Sequence, residues 1–136
     1  MMKLLFTLIG ILLMSSCNTH KPTPNQHTAK TNIKSHQTIT SPYKVTVYSN
    51  HTWNAFEGEL GTVTAVDNNG KQLGFAILFT EDINWMGKVN VPFSGTLSFH
   101  SKDKKPILGK LQFHNNNPSQ TEGKDLYFEI PVTFKR

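Results

Sequence analysis

Cysteine is nearly absent from this 136-residue chain, where Cys17 stands alone. A disulfide within the chain and a metal centre built on several thiolates are therefore both excluded. No acidic residue occurs before Glu57, and no aromatic occurs between Asn18 and Ser41. No segment repeats apolar residues at a 3.6-residue period over three turns, which argues against a helical bundle. There is no glycine-rich loop of the phosphate-cradling kind and no serine in a nucleophile-elbow pattern. Nothing in the sequence calls for a cofactor.

The first thing present is a leader. Met1, Met2 and Lys3 precede Leu4 to Met14, an almost wholly apolar run. Its length suits the hydrophobic region of a secretory signal and falls short of the roughly 20 residues of a membrane-spanning helix. Ser15 and Ser16, both small, come just before Cys17. Met14-Ser15-Ser16-Cys17 resembles the end of a bacterial lipoprotein signal. That resemblance implies cleavage before Cys17, a thioether-linked lipid on its sulfur and an acylated new amino terminus. The partner implied is the membrane, through Cys17, and the place is the bacterial cell envelope. Asn18, rather than Asp, after the cysteine favours the outer membrane where a cell has two. Several acyl chains make the anchor firm, because each buried CH₂ adds about 0.8 kcal/mol and one chain binds only marginally.

Residues 17–41 read as a lipidated flexible tether. Thr, Asn, Gln, His, Lys, Ser and Pro dominate, and Ile33 and Ile39 are the only strongly apolar members. Such a composition buries too little surface to offset the entropy of ordering. His20, His27 and His36 are spaced too irregularly to suggest a metal site. The chain carries 14 Lys plus Arg against 9 Asp plus Glu. Ten of those bases and all the acids follow Pro42, so the remainder is close to neutral. The "KDKK" cluster at Lys102–Lys105 is its one basic cluster, and it reads as a turn. A nucleic-acid partner is not expected.

Residues 42–136 read as strands. "YKVTVYS" places Val45 and Val47 on one face, and "KQLGFAILF" repeats Leu73, Phe75, Ile77 and Phe79 at period two. "PFSGTLSF", "ILGKLQF" and "LYFEIPVTF" alternate in the same way. "DNNG", Asp67 to Gly70, is a hairpin turn signal. Pro131 inside the last run marks a bulge or an edge. About seven short strands in one modest core predict an immunoglobulin-like antiparallel β-sandwich, monomeric and without a staple. A small barrel has the same periodicity.

"AFEGELGTVTAVDNNGKQLGFAIL", Trp85, "VPFSGTLSF" and "DLYFEIPVTF" together resemble the immunoglobulin-like domain associated with bacterial spore germination proteins, the Gmad type. The resemblance runs from about Tyr43 to Phe134. It implies an extracytoplasmic interaction module and no catalytic residues.

The expected function is therefore non-enzymatic binding of an envelope protein or glycan. Trp53 and the loop at Asn115, Asn116 and Asn117 are the expected contacts, since exposed aromatics and long loops suit recognition. Trp85 is expected to be core or semi-core. One alternative is a carbohydrate- or peptidoglycan-binding module using Trp53 or Trp85. Another is a small glycan hydrolase in which Glu57 and Glu59, two apart on one strand face, act as a carboxylate pair. Glu81 and Asp82 read as a solvated loop. His51, His100 and His114 read as independent surface residues, so no metal is assigned.

Overall fold

A computed structural model of the chain describes residues 28–100, 102, 104–116 and 126–136. The signal segment, Cys17, the first part of the expected tether and Asn117 lie outside the described residues. The fold is all-β, with eight strands and no helix among the described residues. They are β1 (Lys30–Thr31), β2 (Gln37–Thr40), β3 (Tyr43–Tyr48), β4 (Glu59–Asp67), β5 (Gln72–Phe79), β6 (Pro92–Leu97), β7 (Ile107–Asn115) and β8 (Tyr127–Lys135). All eight belong to one sheet in the order β1-β3-β6-β5-β4-β7-β8-β2.

Two expectations are corrected here. The sheet is mixed, because β2 runs parallel to β8, pairing Gln37 with Val132 and Ile39 with Phe134. The folded part also starts earlier than Pro42. Ala29, Ile33 and Ile39, inside the expected tether, are buried in the common core. Ile39 is completely buried, and such single anchors recruit the short strands β1 and β2 to the two edges.

The short connection between those strands forces the sheet to curl. β1 and β2 sit at opposite edges, seven strand spacings apart, which would be roughly 33 Å if flat at ~4.8 Å each. Thr31 and Gln37 are joined by five intervening residues, which reach at most about 21 Å. The edges must therefore approach one another. Core contacts reflect this: the Phe99 ring, just past β6, meets the Phe134 ring of β8 edge-on at 5.0 Å.

Alternation decides what lines the inside. Val45 and Val47 of β3, Phe93 and Leu97 of β6, and Leu111 and Phe113 of β7 are all buried. In β5 the large residues lie on the other side. Ala76 and Leu78 face the core, while Phe75 and Phe79 are half-exposed. The β4–β5 hairpin closes as its sequence suggests: Gly70 has φ +80°, its N–H donates to Asp67 O at 3.0 Å, and Asp67 Oδ1 accepts from the N–H groups of Asn69 and Lys71. Pro131 produces no bulge, since the β7–β8 register runs unbroken from Ile107↔Phe134 to His114↔Tyr127. It lies one residue before the β2 pairing begins, where a missing N–H costs nothing.

The β1 edge is finished by a side chain. Asn32 Oδ1 accepts from the Thr46 N–H at 2.9 Å, and its Nδ2 donates to Lys44 O at 3.0 Å. The amide thus extends the ladder on β3 where the two-residue strand β1 stops.

Candidate functional site

The connections β3–β4 (49–58), β5–β6 (80–91) and β7–β8 (116–126) all emerge at one end of the sheet, as the strand directions require. Five of the seven exposed large hydrophobics among the described residues lie at this end: Phe56, Phe79, Ile83, Met86 and Val89. That concentration makes it the candidate contact surface, since scattered apolar residues need no explanation but grouped ones do.

The expected contacts fare differently. Trp53 is completely buried, which corrects its assignment to the surface. The reason is local. Asn50 Oδ1 accepts from the N–H groups of Thr52 (2.8 Å) and Trp53 (2.6 Å), and Asn50 N–H donates to Trp53 O at 3.1 Å. This tight turn folds the indole back over the end of the core, edge-on to Phe128 at 5.3 Å. Phe128 in turn stacks on Phe113 at 4.5 Å. Asn115 is likewise buried, and its Nδ2 donates to Asn54 O and Leu60 O. It ties the β3–β4 connection to β4 and β7 and offers nothing to a partner. Asn116 is exposed, with Nδ2 donating to Glu59 Oε1 at 2.9 Å. Trp85 is half-buried against Phe93, with ring centroids 6.4 Å apart, in the semi-core position expected.

Glu57 and Glu59 do not share a strand face. Phe56 and Glu59 exchange backbone hydrogen bonds at 2.8 and 2.9 Å across a two-residue turn, with Glu57 at φ +50° and Gly58 at φ +81°. Glu57 is at the tip and Glu59 begins β4. Beside them is a cleft of about 230 Å³ lined by Phe56, Glu57, Glu59, Phe79 and Asn116. Among the described residues no group of three His, Cys, Asp or Glu could hold a metal ion. His51, His100 and His114 are exposed at separate places. The Glu129 carboxylate is taken up by Lys110 (2.7 Å), Gln112 (3.1 Å) and the Tyr127 hydroxyl.

A trough of about 720 Å³ lies on the outer face of β3, β6 and β5. Gly95 is part of its lining: a Cβ there would sit 2.3 Å from Ile77 O, so only glycine lets β6 come this close to β5. The lining mixes hydroxyls with charged and apolar groups; Thr46 and Ser94 place their hydroxyl oxygens 2.8 Å apart. Tyr48 and Phe79 add rings. Phe79 belongs to both trough and cleft. A smaller groove of about 290 Å³ separates the β3–β4 and β5–β6 connections, between His51 and Asn54 on one side and Trp85 and Val89 on the other.

The β5–β6 connection is internally braced. Trp85 N–H donates to Asp82 O and Lys88 N–H to Trp85 O, both at 3.2 Å, which makes two consecutive turns. Asp82 Oδ1 accepts from the Asn84 N–H at 2.8 Å, and Oδ2 pairs with Lys88 Nζ at 3.4 Å. The Asn84 hydrogen bond holds the Asp82 carboxyl below its ordinary range; slight desolvation opposes this and Lys88 adds to it. Sequence reasoning passed over Ile83 and Met86 because they interrupt no pattern. No family model, curated protein or solved structure matches the chain.

Proposed function

We propose that the chain is a lipoprotein of the bacterial cell envelope, anchored through acylated Cys17, whose folded part is a monomeric, non-enzymatic immunoglobulin-like binding module. The leader sequence supports the anchor. The strand order supports the immunoglobulin-like reading. β5 and β6 share a single register pair, Phe79↔Ser94, so the one continuous sheet can be read as β1-β3-β6 and β5-β4-β7-β8-β2 around one core. The Gmad-type resemblance belongs to the same proposal, carried by the stretches quoted above.

The observation that carries the binding reading is Phe79. It is half-exposed at the junction of the trough and the cleft, beside Phe56 and the Glu59–Asn116 pair. An apolar ring ringed by polar groups suits recognition of an envelope partner. Glu57 and Glu59 both line the small cleft, but Glu57 sits at a turn tip rather than on the strand face the hydrolase alternative assumes, and Glu59 is engaged by Asn116. The glycan alternative has its own support in the trough, which the Tyr48 and Phe79 rings share with several hydroxyls.

Cross-linking on membranes from cells that make the full chain tests this. The wild type and Lys104→Ala should capture a common partner, and Phe79→Ser should lose it several-fold. Equal capture by Phe79→Ser would remove the site. Sedimentation with purified peptidoglycan that depends on Phe79 would favour the glycan alternative. Turnover of cell-wall fragments abolished by Glu57→Gln would replace binding with hydrolysis.

A further inference from the structure

The tip of the β5–β6 connection presents Ile83 at 87% and Met86 at 73% exposure, the two most exposed large hydrophobics among the described residues. Each sits on one of two consecutive turns, and Trp85 between them turns inward onto Phe93. Gly87, with φ +72°, completes the second turn. The connection is fastened at its far end to β3: Asn90 N–H donates to Ser49 O at 2.8 Å, Ser49 N–H to Val91 O at 3.0 Å, and Val91 N–H to Ser49 Oγ at 3.1 Å. Two aliphatic side chains are thus held out in water by a braced backbone.

The place where the chain enters the fold gives this tip an occupant. Lys30 pairs with Tyr48, and Tyr48 pairs with Pro92, so these three form one row across β1, β3 and β6. Lys30 Nζ also lies 5.5 Å from the Tyr48 ring centroid. Residue 28 therefore leaves the folded part at the same end as the β5–β6 connection, next to its last residues. Only residues 18–27 separate it from Cys17 in sequence. A stretch of that length reaches at most about 35 Å.

We propose that Ile83 and Met86 dip into the lipid surface of the membrane that carries Cys17, fixing the loop end towards the bilayer. This rests on the lipidated-Cys17 reading above. Lys88 is paired with Asp82, and Glu81 precedes that pair in the same connection, so the tip has no basic excess to draw anionic headgroups. The contact is apolar and insensitive to salt. The anchor supplies the local concentration that two side chains alone would not. In this orientation the trough along β3, β6 and β5 faces sideways, open to a partner.

The test uses the mature lipidated protein in phosphatidylcholine vesicles containing nitroxide-labelled lipid. With Cys17 blocked by its thioether, Met86→Cys supplies a single thiol for a polarity-sensitive fluorophore. Lys104→Cys, at the opposite end, supplies the control. The label at position 86 should be blue-shifted and quenched several-fold more than the label at 104, equally at low and high salt. Adding Ile83→Glu should abolish the difference. Intact mass reads Cys17 separately. Lipid mass present with position 86 quenched no more than 104 overturns the lipid contact and leaves the anchor standing. Lipid mass absent with quenching at 86 retained does the reverse. Quenching at 86 that is relieved by soluble cell-wall fragments or an envelope protein places another occupant on the tip and overturns the proposal.

Discussion

Replacing Trp53 with Ala should cost folding stability rather than affinity. The side chain is completely buried and closes the end of the core over the Phe128 and Phe113 rings. Removing so large a group loses its transfer free energy and leaves a cavity, about 3–5 kcal/mol for a tryptophan. The edge-on contact with Phe128 accounts for about 0.5–1.5 kcal/mol of ring interaction within that. A domain of this size has a stability of about 5–15 kcal/mol, so the variant should fold, with its midpoint lowered by more than about 10 °C. Trp53→Phe should retain a ring against Phe128 and lose less. Thermal and urea unfolding followed by circular dichroism gives both values. Fluorescence adds an internal check, because the two tryptophans differ in burial. In Trp53→Phe only half-buried Trp85 emits, so the spectrum should move to longer wavelength. A Trp53→Ala change below about 1 kcal/mol, far under the range for a core ring, would show that the indole does not seal the core and would return it to the surface.

Three further outcomes follow from particular contacts. Gly95→Ala should destabilise by about 1–3 kcal/mol, because the new methyl meets Ile77 O of β5; an unchanged urea midpoint would mean that this strand contact is loose. Asn32→Ala should cost about 1 kcal/mol for two exposed hydrogen bonds, yet raise self-association measured by light scattering, because the β3 backbone at Lys44 and Thr46 loses its cover. Asp82 has its carboxyl pKa lowered by folding, so its contribution is present above the unfolded value of 3.8 and is lost as pH falls through the lower folded value; an NMR titration should find the Asn84 amide shifting below pH 3.8, and a midpoint above 3.8 would refute the hydrogen bond.

Legibility of this fold in its sequence varied with the length of the pattern. The alternation in β3, β6, β7 and β8 names their buried residues correctly, because each run repeats its apolar side three or more times or sits among polar neighbours. β5 is apolar at both parities, so periodicity finds the strand but leaves open which face is inside; Ala76 and Leu78 take the core and Phe75 and Phe79 go out. β1 and β2 are too short to repeat anything, and their polar setting reads as tether. The parallel pairing of β2 with β8 leaves no local mark at all. At the loop end, Trp53 was misplaced because its burial is decided by the Asn50 turn, a signal of three residues. Asn115 looks like part of an asparagine-rich loop, whereas it is the last residue of β7 and pairs with Gly61. The trough depends on the close approach of β6 to β5 at Gly95, and a lone glycine in a strand does not say which neighbour it admits.

The parallel pairing also sets when folding can finish. Gln37 finds its partner in Val132, 95 positions later in the chain, and β1 meets β3 while β2 waits for the last strand to be made. A ribosome therefore releases nearly the whole polypeptide before the second edge can close. Until then Ile39 and Phe134, which pair in that ladder and are both buried in the finished fold, have no shelter from water. Contacts this distant in sequence make folding slow. The pairs β1–β3 and β4–β5 need nothing from the end of the chain, so only the β2 edge stays open until the last residues are made. Loss of residues 132–135 alone would leave β2 without a neighbour.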